Sequence, residues 1–148
     1  MTLSARSDAA QKTRPAWWVL RAVVSAHVVA IVGQPVFAGV YLSGNYDGLR
    51  LHEVGANVVT STGYLQLIAA IMVWVRLRRV RPFLATLAVV VAETVQYFAG
   101  MEGALWLHLP LGVLTVTGLV VQFIAVWCWP LSLRAKVRNA GKAAADGA

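Results

Sequence analysis

The sequence predicts an all-α integral membrane protein, an up-down-up-down four-helix bundle made of two tandem helix-hairpin repeats. Three observations predict this fold: four long apolar stretches, basic residues gathered on one side of them, and a pattern of polar residues that occurs twice. Of the 148 residues, 59% are apolar and 13% are charged, whereas soluble domains are about half apolar and about a quarter charged. This composition excludes a soluble enzyme and a disordered chain, and one cysteine excludes a disulfide-stapled module.

The four apolar stretches are long enough to be membrane spans, since about 20 apolar residues cross a bilayer of about 30 Å. Short loops between them make consecutive spans antiparallel neighbours. The remaining ends, residues 1–15 and the basic, Ala-rich residues 131–148, are then cytoplasmic tails of a transmembrane domain at 16–130. We expect the spans at about residues 16–42, 52–75, 83–99 and 105–129.

The positions of the basic residues predict the orientation. Every Lys and Arg except Arg50 lies at or before the start of the first span, between the second and third spans, or after the fourth. The positive-inside rule therefore places both termini in the cytoplasm of a multi-pass plasma-membrane protein. The net charge of +7 then reflects topology and contact with the lipid bilayer, and we expect no nucleic-acid partner.

A pattern of His and Gln residues occurs in both halves of the chain. His52 precedes Gln66 in the second span by the same number of residues as His108 precedes Gln122 in the fourth. This separation is close to four helical turns, so each Gln lies beneath its His on one helix face. Parallel repeats of this kind place equivalent residues about an axis along the membrane normal. We therefore expect the two histidines at similar depth on diagonal helices.

The sequence leaves two interpretations of these histidines open. They could be the axial ligands of one haem iron, with the small residues Gly55 and Gly112 leaving room for a flat ligand between helices. Alternatively, each could be a half-hydrated histidine at the membrane interface. Structural zinc is disfavoured because it takes four ligands and no further cysteine or acidic cluster accompanies His52 and His108.

A second group of polar residues lies deeper in the first and third spans. His27 is near the middle of its span, where a buried imidazole needs a partner, and Glu93 lies at similar depth. The two could form a proton relay or contact a quinone or a haem edge, with Gln34 and Gln96 nearer the outside. The simpler interpretation is a polar pair that locks the helices together.

The sequence contains three distinctive strings: QPVFAG at 34–39, LHEVGAN at 51–57 and LHLPLGV at 107–113. With these strings it resembles a family of small four-span actinobacterial membrane proteins over about residues 17–130. The arrangement also resembles one half of a haem A synthase, in which the second and fourth helices each supply a haem-ligating histidine. By position, this resemblance implies that His52 and His108 are ligands. The chain has no cysteine pair in its outer loops, so the resemblance implies haem binding without haem A synthase activity.

The sequence thus favours a small protein that binds one haem b for electron transfer or haem sensing, and that is not an enzyme on its own. Its partners would be a quinone or another membrane redox protein. Two alternatives remain open: a cofactor-free accessory subunit, and a small transporter with a polar path. The chain could also form a homo-oligomer or part of a larger membrane complex.

Overall fold

The computed structural model describes residues 3–128, with side chains described from residue 15 onward. These residues form an antiparallel bundle of four helices, which confirms the predicted all-α fold. The first helix already begins at Leu3, within the segment assigned to the N-terminal tail. The tail assigned to residues 131–148 lies outside the described residues. The helices are α1 Leu3–Leu42, α2 Asp47–Leu77, α3 Val80–Met101 and α4 Leu105–Cys128.

All four helices are long and apolar enough to cross a membrane, and the first qualifies over Pro15–Leu42. Helix α2 begins at Asp47, several residues before the expected span. A carboxylate in the first turn is favoured by the positive end of the helix dipole, so the helix extends through polar residues beyond the apolar stretch. These features fit a multi-pass membrane protein.

The helices pack in a ring, with α1 on α2, α2 on α3, α3 on α4 and α4 on α1. Because the two diagonal pairs are not in backbone contact within residues 3–128, they meet only through side chains in the interior. The buried apolar core includes Leu20, Val73 and Leu119. Large apolar side chains remain exposed on the outer face of every helix, as contact with lipid requires.

The bundle has two distinct ends. At one end, which we call the loop end, α1 connects to α2 and α3 connects to α4. Each connection contains a glycine with positive φ, 92° at Gly44 and 70° at Gly103, a conformation that other residues rarely adopt. At the opposite end, which we call the turn end, α2 ends at Leu77 and is capped by Arg78, whose φ of 54° is left-handed. Helix α3 follows directly.

Candidate functional site

Two histidines face each other inside the bundle near the loop end. His52 lies in the second turn of α2 and His108 lies in the first turn of α4. The centroids of their rings are 6.0 Å apart and the ring planes are inclined by 79°. The structure therefore brings together, from diagonal helices, the two residues that the repeat places in equivalent positions.

Both histidines are held by the same hydrogen bond to the preceding helix. His52 Nδ1 lies 3.2 Å from the backbone oxygen of Gln34, and His108 Nδ1 lies 2.9 Å from that of Gln96. A carbonyl oxygen can only accept, so Nδ1 carries the hydrogen in both rings. In a neutral imidazole with its hydrogen on Nδ1, the lone pair is on Nε2, and a bond from Nδ1 to a carbonyl is the arrangement that orients histidines as metal ligands.

The side chains of Gln34 and Gln96 lie against two glycines, which are on the turn-end side of the histidines. A Cβ atom at Gly55 would collide with the amide nitrogen of Gln34, and one at Gly112 would lie 3.0 Å from Gln96 Nε2. The two glycines that the sequence assigns to a flat ligand here make room for glutamine side chains. Their role in cofactor binding stays a prediction.

The two glutamines differ in their hydrogen bonds. Gln96 Oε1 accepts a hydrogen bond of 2.8 Å from the Thr115 hydroxyl. In the first half of the repeat, the position equivalent to Thr115 is Val59, which has no hydroxyl to donate. The amide nitrogen and oxygen of Gln34 are both buried without a hydrogen-bond partner. An unpartnered buried amide is costly, so a polar ligand that bonded to Gln34 would be stabilised here.

The paired histidines and the glutamines line a cavity of about 50 Å³ that reaches down to Glu93. Glu93 is nine-tenths buried, and its Oε1 lies 3.0 Å from Nε2 of His27, which is fully buried. The approach is within the distance of an ion pair, but the two atoms form no hydrogen bond. Gly63 makes room for this pair, because a Cβ there would lie 2.9 Å from Glu93 Oε2.

A hydrogen-bonded network continues from His27 towards the turn end and draws on all four helices. His27 Nδ1 donates to Gln66 Oε1 at 2.9 Å, and Gln66 Nε2 donates to Gln122 Oε1 at 3.1 Å. Both amide nitrogens also donate to the Thr86 hydroxyl. Sequence reasoning missed Thr86, although it lies two helical turns before Glu93 on the same face of α3.

Comparisons with protein-family models, with curated proteins and with solved structures find no match for this chain. Among the described residues, no three His, Cys, Asp or Glu side chains cluster to hold a metal ion. The described residues therefore form no four-ligand zinc centre. A haem iron is different, because its macrocycle supplies the other donors and the protein needs to add only axial ligands.

A second feature that sequence reasoning missed is Arg21, which it used only to orient the chain. Arg21 is buried at the turn end, where Nε donates to the Val126 carbonyl at 3.3 Å and Nη2 donates to the Trp127 carbonyl at 3.2 Å. The guanidinium carbon lies 5.1 Å from the ring centroid of Trp18 and 5.0 Å from that of Trp127. A cation here satisfies carbonyls that the end of α4 leaves free.

Proposed function

We propose that this chain is a small membrane protein that binds one b-type haem between α2 and α4, with His52 and His108 as axial ligands. Its role would be electron transfer or haem sensing. The observation that carries the proposal is the pair of facing imidazoles. In each ring, Nδ1 is bonded to a backbone carbonyl, which leaves the lone pair of Nε2 to coordinate a metal.

The separation of the rings supports this proposal. Two metal–nitrogen bonds of about 2 Å, with about 1 Å from each coordinating nitrogen to its ring centroid, put the centroids of two opposed ligands about 6 Å apart. The observed separation of His52 and His108 is 6.0 Å. Ordinary edge-to-face contact between two rings gives the same range of separations, so the spacing agrees with ligation and the shared carbonyl contact carries the proposal.

The space around the two rings must widen before a macrocycle fits, because the cavity there has only about 50 Å³, while the separation of the rings themselves needs no change. The side chains that fill this region are those of Gln34 and Gln96. Turning Gln34 away breaks no hydrogen bond, since its amide has none. Turning Gln96 away breaks one, to Thr115. Little hydrogen bonding is therefore lost when the region opens.

When bound, haem would supply one-electron exchange. The chain's own contribution is to hold and orient the two imidazoles through the carbonyls of Gln34 and Gln96. Because both axial positions are filled by histidine, no position is open for oxygen chemistry. We further propose that a quinone or a membrane redox protein exchanges electrons with this site, and that both termini face the cytoplasm.

An absorption spectrum of the detergent-purified protein, expressed with added haem precursor, tests the proposal. We expect a Soret band that shifts on reduction with dithionite and is lost in both His52→Ala and His108→Ala. The control is His27→Gln, which removes the remaining imidazole outside the pair and leaves the band in place. A colourless wild-type protein that is helical and monodisperse would contradict the proposal.

A second candidate is a cofactor-free accessory subunit of a larger membrane complex. The observation that favours it is the network around Gln66 and Gln122, which joins all four helices without any ligand. Polar contacts of this kind hold transmembrane helices in one arrangement. A colourless protein that co-purifies with a stoichiometric partner would support this second role.

A further inference from the structure

A second cavity, of about 190 Å³, lies between α3 and α4 near the turn end, away from the histidines. Its walls are mostly small or apolar, with Pro82 and Ala85 on α3 and Gly118 and Ala125 on α4, and Gln122 also lines it. Arg81, in the first turn of α3, lines the same cavity and is exposed. We call this cavity the α3–α4 groove.

The groove extends from the turn end into the membrane-spanning part of the bundle. Gln122 Nε2 donates to the Pro82 carbonyl at 3.4 Å, so these two residues of α4 and α3 lie at the same depth along the bundle. Because the helices are antiparallel, Ala125 lies on the side of Arg81, and Gly118 lies deeper, where its missing Cβ faces Val89 Cγ2 at 3.7 Å. The distance along α4 from Ala125 to Gly118 is about 10 Å.

Among the side chains of residues 15–128, the charged ones around the groove are all basic. Arg81 makes no ion pair with any residue of the described part of the chain, and Arg76 and Arg78 are exposed at the same end. The acidic side chains that the structure describes, those between residues 15 and 128, lie elsewhere, in the bundle interior or near the loop end: Glu93, Asp47, Glu53 and Glu102. The mouth of the groove is therefore suited to an anion at the membrane surface.

We propose that the α3–α4 groove binds one anionic phospholipid, with its phosphate at Arg81 and one acyl chain along Ala85, Ala125 and Gly118. The apolar walls match an acyl chain, and the unpaired guanidinium matches the phosphate. A second copy of the chain is a poorer occupant, because it would bring two sets of arginines together, and the carboxylates of residues 15–128 lie away from that end. This inference does not depend on haem binding.

The headgroup contact is tested with full-length protein reconstituted in vesicles of equal parts phosphatidylglycerol and phosphatidylcholine. Native mass spectrometry then gives the ratio of the two lipids retained on the protein. We expect wild type to retain phosphatidylglycerol preferentially, and Arg81→Gln to lower the ratio about tenfold, because it removes a charge-assisted contact with the phosphate. The control, Arg76→Gln, removes an exposed arginine that does not line the groove and keeps the wild-type ratio.

The chain contact is tested with Gly118→Leu, which fills the groove. Since a Cβ at this position meets only Val89 at an ordinary contact distance, the variant is expected to fold, which circular dichroism and gel filtration check. We expect it to lose the retained lipid, whereas Ala26→Leu, on the exposed face of α1, keeps it.

Three results would overturn the proposal. The first is an equal effect of Arg81→Gln and Arg76→Gln, which indicates a diffuse basic surface. The second is wild-type lipid retention in a correctly folded Gly118→Leu variant. The third is a dimer in wild type that Gly118→Leu converts to monomer without a change in retained lipid, which assigns the groove to a second copy of the chain.

Discussion

Gln66 on α2 donates a hydrogen bond of 3.1 Å to Gln122 on α4, so two residues in equivalent positions of the repeat bond directly to each other. Nearer the loop end, His52 and His108 face each other in the same way. The sequence repeat is therefore also a spatial one, with equivalent residues of the two halves meeting in the interior. Both pairs join diagonal helices whose backbones are not in contact.

Replacing Gln66 with Leu is expected to destabilise the bundle by about 1–2 kcal/mol, because hydrogen bonds between transmembrane helices contribute about 0.6 kcal/mol each on average. The change removes the bonds from Gln66 to His27, Thr86 and Gln122. Reversible unfolding in mixed micelles measures the free energy. Thr117→Val is the control, since the exposed Thr117 hydroxyl bonds only to its own helix. Equal effects of the two variants would show that the network contributes nothing.

Two glycine-to-alanine changes in helices are expected to have opposite signs. At Gly39 a Cβ meets nothing within 4 Å, so alanine stabilises the helix by about 0.5–1 kcal/mol. At Gly63 the added carbon meets Glu93 Oε2 at 2.9 Å and His27 Cε1 at 3.2 Å, so alanine destabilises the fold by about 1 kcal/mol or more. Unfolding of both variants under the same conditions checks this, and stabilisation by Gly63→Ala would refute the close packing.

His27 and Glu93 are expected to behave as a coupled pair. His27→Leu leaves a buried carboxyl without its partner and Glu93→Leu leaves a buried imidazole, whereas the double variant leaves neither. A double-mutant cycle should therefore give a coupling free energy of about 1–3 kcal/mol. The double variant should lose less stability than the two single variants lose in total. If the losses of stability in the two single variants simply add, the 3.0 Å contact between His27 and Glu93 contributes nothing to the free energy of unfolding.

Arg21→Met is expected to loosen the end of α4. The variant keeps the aliphatic stem but loses the hydrogen bonds to the Val126 and Trp127 carbonyls and the contacts with the tryptophan rings. We expect a loss of about 2 kcal/mol and faster amide hydrogen exchange in the last turns of α4. Arg76→Met, at an exposed position of the same end, should leave the exchange unchanged. Slow exchange in Arg21→Met would rule out the capping role.

The fold could be predicted from the sequence because it depends on quantities that a sequence shows directly: the length of apolar stretches, the shortness of loops and the alternation of charge. The positions of the helix ends were harder to predict from the sequence. Helix α2 starts at Asp47 and α1 at Leu3, since polar residues continue a helix beyond its apolar part. The repeat also indicated which residues share a level, as His52 and His108 do.

The hydrogen bonds of the interior could not be predicted, because they depend on how far each helix is rotated and shifted against its neighbours. Helical period places Gln66 beneath His52, but only packing decides that it bonds to Gln122 and Thr86. Likewise, Gln34 lacks a partner because the first half has Val59 where the second has Thr115. Haem ligation by the histidines stays a prediction.

The most direct test of the central claim is the electron paramagnetic resonance spectrum of the ferric protein loaded with haem. Ligation by His52 and His108 together predicts a low-spin signal typical of two imidazole ligands. In His52→Ala and in His108→Ala this signal should give way to a high-spin one, and added free imidazole should restore it. A wild-type spectrum that is high-spin, or a low-spin signal that persists in either variant, would contradict ligation of one iron by this pair.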